Sequence, residues 1–223
     1  SLRGLGTYGF IKNPAGFILG AAQDAPQALE DYGYAMQQAV LEATELGLGT
    51  CWLGGTFTKS SFARRMGQQA GEIIPAVTAT GYAEADSRVR DPLRGLVHAE
   101  NRRLWQNMFF EEAFGQPLAR SSADRYAWAL EMLRLAPSAS NKQPWRVLKQ
   151  GKAWHFYCQR TPGYPLGRMF SSLLGLADFQ RVDIGIAMCH FELTARAEGL
   201  AGAWAQSDPG LALPDGQTLY VVS

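Results

Sequence analysis

The chain matches itself when it is shifted by 152 positions, and the match needs no gap. Hairpin-like sequence precedes both copies, at Tyr8 to Leu19 and at Trp145 to Tyr157. Self-similarity at a fixed shift is the signature of a duplicated structural unit. We therefore predict two copies of one hairpin-helix-strand unit. The identical pairs are Asp31 and Asp183, Gly33 and Gly185, Ala35 and Ala187, Met36 and Met188, Leu41 and Leu193, Ala43 and Ala195, Gly47 and Gly199, Leu48 and Leu200, and Trp52 and Trp204.

Apolar residues at spacings of three and four predict three longer helices. One runs from Leu29 to Leu46 and ends before Gly47, a residue suited to a helix C-cap. The others cover Tyr126 to Leu135 and Asp183 to Glu198. A short helix through Met66 and strands over Gly47 to Phe57 and Ile73 to Tyr82 complete the prediction.

The two copies differ after their shared tryptophan. Trp52 is followed by Leu53, Gly54 and Gly55, whereas Trp204 is followed by Ala205 and Gln206. Glycine has no Cβ to hold a flat ligand away from the backbone, so the glycine pair predicts a backbone surface that a ligand can face. The alternative is a tight turn.

A loop follows the helix that ends at Leu135, because Pro137 cannot continue a helix. It carries two hydroxyl groups, Ser138 and Ser140, and the carboxamide of Asn141, with no bulky side chain before Lys142. Short polar groups and backbone can therefore approach a ligand closely. The alternative is a surface loop that only ends the helix.

Two arginines, Arg88 and Arg90, stand at alternate positions after the strand that ends near Tyr82. If this segment is extended, both side chains point the same way and form an anion clamp. The alternative is a pair of solvated surface arginines.

Composition excludes several classes of function. The formal net charge is +1 in 223 residues and no basic run occurs, which excludes a nucleic-acid partner. No apolar run approaches the roughly 20 residues of a membrane helix, and Ser1 opens no signal-peptide pattern. The three cysteines, Cys51, Cys158 and Cys189, are far apart, so we predict neither disulfides nor a zinc site, and a cytoplasmic location. The start at Ser1 leaves room for residues upstream.

Three segments together resemble the nitroreductase family of flavoproteins: 136–145, 47–55, and 75–82 with the arginines that follow. The arrangement is similar to nitroreductases in which two half-units are fused in one chain. The resemblance implies an α+β fold with a mixed, mainly antiparallel sheet flanked by helices. The long helices should pack against each other across a pseudo-twofold axis. It also implies a first half over 1–95, a connection over 96–120 and a second half over 121–223, forming one compact unit.

The resemblance further implies one composite site for flavin mononucleotide (FMN), and no metal. In the first half, Arg88 or Arg90 would point toward the phosphate, and the residues beside the isoalloxazine would be Trp52, Leu53, Gly54 and Gly55. The second half would contribute Pro137, Ser138, Ala139 and Asn141. The symmetric second site should be degraded, because it lacks the glycines. One departure is the family's amino-terminal arginine-serine-arginine motif, which Arg102 and Arg103 do not reproduce.

The implied reaction is hydride transfer from NADH or NADPH to the flavin, followed by reduction of a nitroaromatic, quinone or similar acceptor. The flavin carries this chemistry, so no catalytic side chain is assigned. His98, His155 and His190 show no pairing pattern, and His190 is interpreted as a packed residue. Fusion of the halves predicts a monomer that mimics a homodimer. The alternative is a non-catalytic module, with or without flavin, that keeps the fold.

Overall fold

The computed structural model describes residue 11 and residues 13–23, 25–54, 59–82, 98–162, 177–216 and 218–223. Within these residues the helices are α1 (Ala28–Glu45), α2 (Lys59–Met66), α3 (Ala127–Leu135) and α4 (Phe179–Ala197). The strands are β1 (Gly16–Ile18), β2 (Ala22–Gln23), β3 (Gly49–Leu53), β4 (Glu72–Ile73), β5 (Val77–Gly81), β6 (Phe109–Glu111), β7 (Trp145–Gln150), β8 (Ala153–Gln159) and β9 (Thr218–Val222).

The strands form two larger sheets, one in each half of the chain. The first has the order β1-β5-β3 and is antiparallel throughout. The second has the order β6-β7-β8-β9 and is antiparallel except for the parallel pair β6 and β7. Strands β2 and β4 form a separate antiparallel pair. Helices pack beside these sheets, which gives the α+β arrangement that the sequence predicts.

Three local expectations need correction. The strand predicted over Ile73 to Tyr82 is divided into β4 and β5, with Pro75 between them, because proline has no N–H to donate to a ladder. The predicted connection 96–120 contains β6, which joins the second sheet. Residues 201–205 of the second copy, which correspond to β3, form no strand, and Ala205 instead exchanges two backbone hydrogen bonds with Ser223. Of the hairpin before α1, the part before Ile11 lies outside the described residues.

Helices α1 and α4 cross in close contact, as predicted. A Cβ on Gly33 would collide with the carbonyl oxygen of Val182, and a Cβ on Gly185 would collide with that of Glu30. Both the glycines and the two carbonyl residues are related by the same shift of 152. The contact is therefore reciprocal, as it would be across a pseudo-twofold axis, although the duplication itself stays a prediction. Arg181 adds a bidentate ion pair to Glu30, at 2.5 and 2.7 Å.

The main hydrophobic core lies between α1, α3, α4 and the second sheet. The apolar stripe predicted for α3 points into it, and Ala129, Leu130, Leu133 and Ala136 are fully buried. A smaller cluster around Phe62 and Val77 joins α2 to the first sheet. The first turn of α4 lies where elements of both halves meet.

Candidate functional site

Gly54 directly follows the first-half strand β3 and lies against a side chain of the second half. A Cβ on Gly54 would stand 2.7 Å from the ring of Phe179, in the first turn of α4. Any larger residue would therefore have to displace that ring. The sequence predicts a flat group beside the Gly54 backbone, and the structure places the Phe179 ring there.

Trp52, two residues earlier, is held by a buried polar chain that crosses between the halves. Its indole N–H donates to Gln37 Oε1 at 3.0 Å, and Gln37 Nε2 lies 3.0 Å from His190 Nε2. Burial lowers the pKa of His190 to about 4, so the imidazole is neutral at pH 7 and accepts the Gln37 proton. His190 is thus packed, as the sequence suggests, and it fixes the amide that orients Trp52.

The loop after α3 has an unusual backbone. Ser140, Asn141 and Gln143 are left-handed, with φ of 49°, 54° and 51°. Such conformations cost non-glycine residues on the order of 1–3 kcal/mol each, and they persist only where the surroundings hold them. One of the bonds that hold this loop runs from the Gln143 N–H to Ser138 Oγ, at 2.9 Å.

Asn141 is satisfied by the chain itself. Its Nδ2 donates to the carbonyl oxygens of His98 and Asn101, at 2.7 and 2.9 Å. Its Oδ1 accepts from Gln143 Nε2 at 3.0 Å. The carboxamide therefore braces the loop against the segment that begins at residue 98.

Two arginines that sequence reasoning set aside also hold this loop. Arg102 donates to the Leu135 carbonyl oxygen through Nε and Nη2, both at 3.2 Å. The backbone N–H of Arg103 donates to Gln143 Oε1 at 2.8 Å. The sequence signal was the adjacent arginine pair, but nothing in its spacing indicated contact with a loop about 40 residues away.

Asp183 on α4 holds the 137–141 loop through a hydrogen bond. It is 2% exposed, and its Oδ1 accepts the Ala139 N–H at 2.9 Å. Its Oδ2 is buried and has no hydrogen-bond partner. Burial raises the pKa of this carboxyl well above its ordinary range, and the nearby Asp178 charge raises it further, so the group favours its protonated form.

These contacts bring the two predicted site segments to the same helix turn. Phe179 and Asp183 are four residues apart, so they share one face of α4. Gly54 packs on the first and Ala139 bonds to the second. Segments 52–54 and 137–141 thus approach α4 from the two halves. The other predicted site residues, Gly55, Arg88 and Arg90, lie outside the described residues.

A cavity of about 740 Å³ lies elsewhere, at the carboxyl end of α4. Its walls include Tyr126, Trp154, Phe191 and Trp204, and none of the predicted cofactor residues. Trp204 is the counterpart of Trp52, and its indole donates to Glu192 Oε2 at 2.5 Å. This cavity therefore belongs to the second half alone.

Metal and membrane features give no further site. Among the described residues no group of histidine, cysteine or acidic side chains could hold a metal ion. Cys158 and Cys189 are buried free thiols. No helix in the described part of the chain is long and apolar enough to span a membrane.

A protein-family model described as "Putative TM nitroreductase" matches residues 3–195, most of the chain. The chain belongs to this family. The crystal structure of "a putative nitroreductase" from Thermotoga maritima matches with a TM-score of 0.55 and 23% identity. The match covers 86% of this chain and 66% of that chain. The comparison with curated proteins gave no match.

Family membership confirms the predicted resemblance, and the structural match confirms the nitroreductase-like α+β fold. The fusion of two half-units, the composite site and its individual residues stay predictions.

Proposed function

We propose that this nitroreductase-family chain is an FMN-dependent oxidoreductase. It transfers hydride from NADH or NADPH through the flavin to a nitroaromatic, quinone or similar acceptor. The observation that carries the proposal is the approach of segments 52–54 and 137–141 to one turn of α4. These are the segments that the family resemblance assigns to the two sides of the flavin.

The residues present fit such a group. Gly54 offers bare backbone in a position where a Cβ would strike a ring 2.7 Å away. Ser138 accepts one hydrogen bond through Oγ and keeps its own proton to donate. Ser140 is exposed on the same loop. We assign these groups to the ring, and Arg88 or Arg90 to the phosphate. The amide of Asn141 is already bonded within the chain. We therefore assign Asn141 the role of holding the loop in its conformation.

Bound FMN supplies the two-electron redox chemistry. Trp52, fixed by the Gln37 amide, forms one wall of the site, and Leu53 and Gly54 continue it along the backbone. The Gly54 amide is an oriented donor for negative charge that develops during reduction. Asp183 keeps Ala139, and with it the second-half loop, at the distance that closes the site. The chain therefore binds and orients, and no side chain acts as the redox centre.

We propose one working site in a monomer, built from the halves 1–95 and 121–223 with 96–120 as the connection. Where the first half has Leu53 and Gly54, the second half has Ala205 and Gln206, and Ala205 is held to Ser223 by two backbone hydrogen bonds, at 2.9 and 3.0 Å. This backbone is already paired and lacks the glycines, so it supports only a degraded second site. We place the protein in the cytoplasm, in keeping with the free thiols of Cys158 and Cys189.

A second candidate is a module that keeps the fold but turns nothing over. Two contacts favour it: the Phe179 ring already lies against Gly54, and the Asn141 amide is already bonded within the chain. Under this reading the site is closed by the protein's own groups.

The visible absorption spectrum of the purified protein separates the two. The enzyme binds added FMN, gives a flavin spectrum that NADPH bleaches under anaerobic conditions, and recovers the oxidised spectrum when a nitroaromatic or quinone is added. Gly54→Ala should lower FMN affinity at least about tenfold, a loss of 1.4 kcal/mol, while Gly202→Ala, which has open space around it, should not. Protein that stays colourless with excess FMN would contradict the proposal and support the module.

A further inference from the structure

A second cavity, of about 730 Å³, lies between residues 103–117 of the connection and residues of the second half. Its polar walls include Arg103, Arg146, Gln106 and Asn107, and its apolar walls include Phe110 and Phe114. Among the residues that the structure describes, no acidic side chain lines it. The family resemblance assigned no ligand to this cavity.

The central feature of the cavity is a buried arginine. Arg146 is the second residue of β7 and is only 5% exposed. Its Nη1 donates to the carbonyl oxygens of Gln143 and Trp145, at 3.1 and 2.5 Å. Its Nε and Nη2 donate to no group in the described part of the chain. A buried guanidinium normally pairs with a carboxylate or another anion, because removing its charge from water is costly.

A second cation stands beside it. Burial, together with the neighbouring charge of Arg103, lowers the pKa of Arg146 to about 10. The Asp215 charge acts in the opposite direction, and its carboxylate accepts hydrogen bonds from Gln159 and Thr218, at 2.7 and 2.8 Å. Among the described residues, two guanidinium groups line the cavity against this one nearby carboxylate, so the cavity carries net positive charge.

We infer that this cavity binds a small organic anion, whose carboxylate or phosphate group lies between Arg146 and Arg103. The planar guanidinium of arginine presents paired N–H groups that match either oxyanion. Gln106 and Asn107 supply further donors at the same wall. The rings of Phe110 and Phe114, with centroids 5.3 Å apart, provide an apolar surface for the body of the ligand.

The site is separate from the proposed flavin site but adjoins its loop. Arg146 donates to the Gln143 carbonyl oxygen, and the Arg103 backbone donates to the Gln143 side chain. The inference does not depend on flavin binding, because both contacts are made by the chain alone. An anion bound here would add bonds to residues that already hold Gln143.

Isothermal titration calorimetry on the full chain at pH 7 and low salt tests the inference, with sodium benzoate and inorganic phosphate as probes. Arg103→Gln removes an exposed guanidinium, and Arg146→Lys keeps the charge but loses the planar fork. Each should weaken binding at least about tenfold. Arg64→Gln removes the same charge from the exposed surface of α2 and serves as the matched control. Circular dichroism checks that each variant is folded.

Tighter binding of benzoate would identify an organic carboxylate as the ligand class, and tighter binding of phosphate would identify a phosphate ester. Absence of heat with both probes would overturn the inference. So would equal affinity in wild type and Arg103→Gln, or an equal loss in Arg64→Gln, because the binding would then be nonspecific attraction to surface charge.

Discussion

The two long helices present equivalent aspartates to very different surroundings. Asp31 on α1 and Asp183 on α4 are related by the shift of 152. Asp31 is exposed, whereas Asp183 is 2% exposed beneath the 137–141 loop and bonds to Ala139. The difference shows that equivalent positions in the two helices need not share an environment. What packs over the first turn of the helix decides it.

The tryptophans that follow the two helices show a second asymmetry. Trp52 donates to the neutral, buried Gln37, whereas Trp204 donates to the carboxylate of Glu192, which also pairs with Arg196. The first tryptophan leads to Gly54 at the junction of the halves, and the second borders a cavity within one half. The crossing of α1 and α4 is therefore symmetric, whereas the segments that follow the two helices are not.

Mutations at the symmetric crossing of α1 and α4 should have the largest effect on stability. Gly33→Ala and Gly185→Ala each place a methyl group against a carbonyl oxygen of the facing helix. Both should lower the free energy of unfolding by about 3 kcal/mol, the upper range for overpacking. Urea denaturation measures this, with Gly202→Ala as a control in open space. A large loss in only one of the two variants would show that the crossing is not reciprocal.

The aspartate pair predicts a smaller, pH-dependent effect. The pKa of Asp183 is raised in the folded protein, so folding favours its protonated form. Its contribution to stability is complete below the ordinary pKa of 3.8 and decreases as the pH rises toward the folded value. Asp183→Asn keeps an oxygen for the Ala139 N–H and removes the ionisation. It should therefore raise stability at pH 7 by about 2 kcal/mol, within the range for a buried polar group.

Unfolding free energies of Asp183→Asn at pH 4 and pH 7 test this against Asp31→Asn, the exposed counterpart. The gain over wild type should grow between these pH values for Asp183→Asn alone. A gain of the same size at both pH values, or the same trend in Asp31→Asn, would contradict the assignment.

The tryptophan pair predicts the smallest effect. Trp52→Phe removes the N–H that donates to Gln37, a bond worth about 1 kcal/mol. If Trp52 forms a wall of the flavin site, FMN affinity should decrease about fivefold. Trp204→Phe should leave FMN affinity unchanged, because Trp204 lines the other cavity. FMN fluorescence titration measures the affinity of both variants. Equal decreases in the two would show that Trp52 and Trp204 do not differ in their relation to the flavin site.

Local patterns predicted much of this molecule. The ranges of α1 and α3, the end of α3 before Pro137 and the β7-β8 hairpin follow from periodicity, caps and breakers that act within a few residues. The close helix crossing could be expected because glycines recur at equivalent positions. Where the pattern ran continuously over Ile73 to Tyr82, Pro75 was the local signal of the break that the structure contains.

The sequence by itself thus determined which segments are helical, where the loop falls and which positions lack a Cβ. Only the tertiary structure decided that β6 pairs with β7, that residues 201–205 form no strand corresponding to β3, and that Asp183 and Arg146 are buried. The physical reason is that periodicity and capping act between near neighbours. A ladder partner, a desolvated charge or a satisfied carboxamide such as that of Asn141 depends on residues brought from distant parts of the chain.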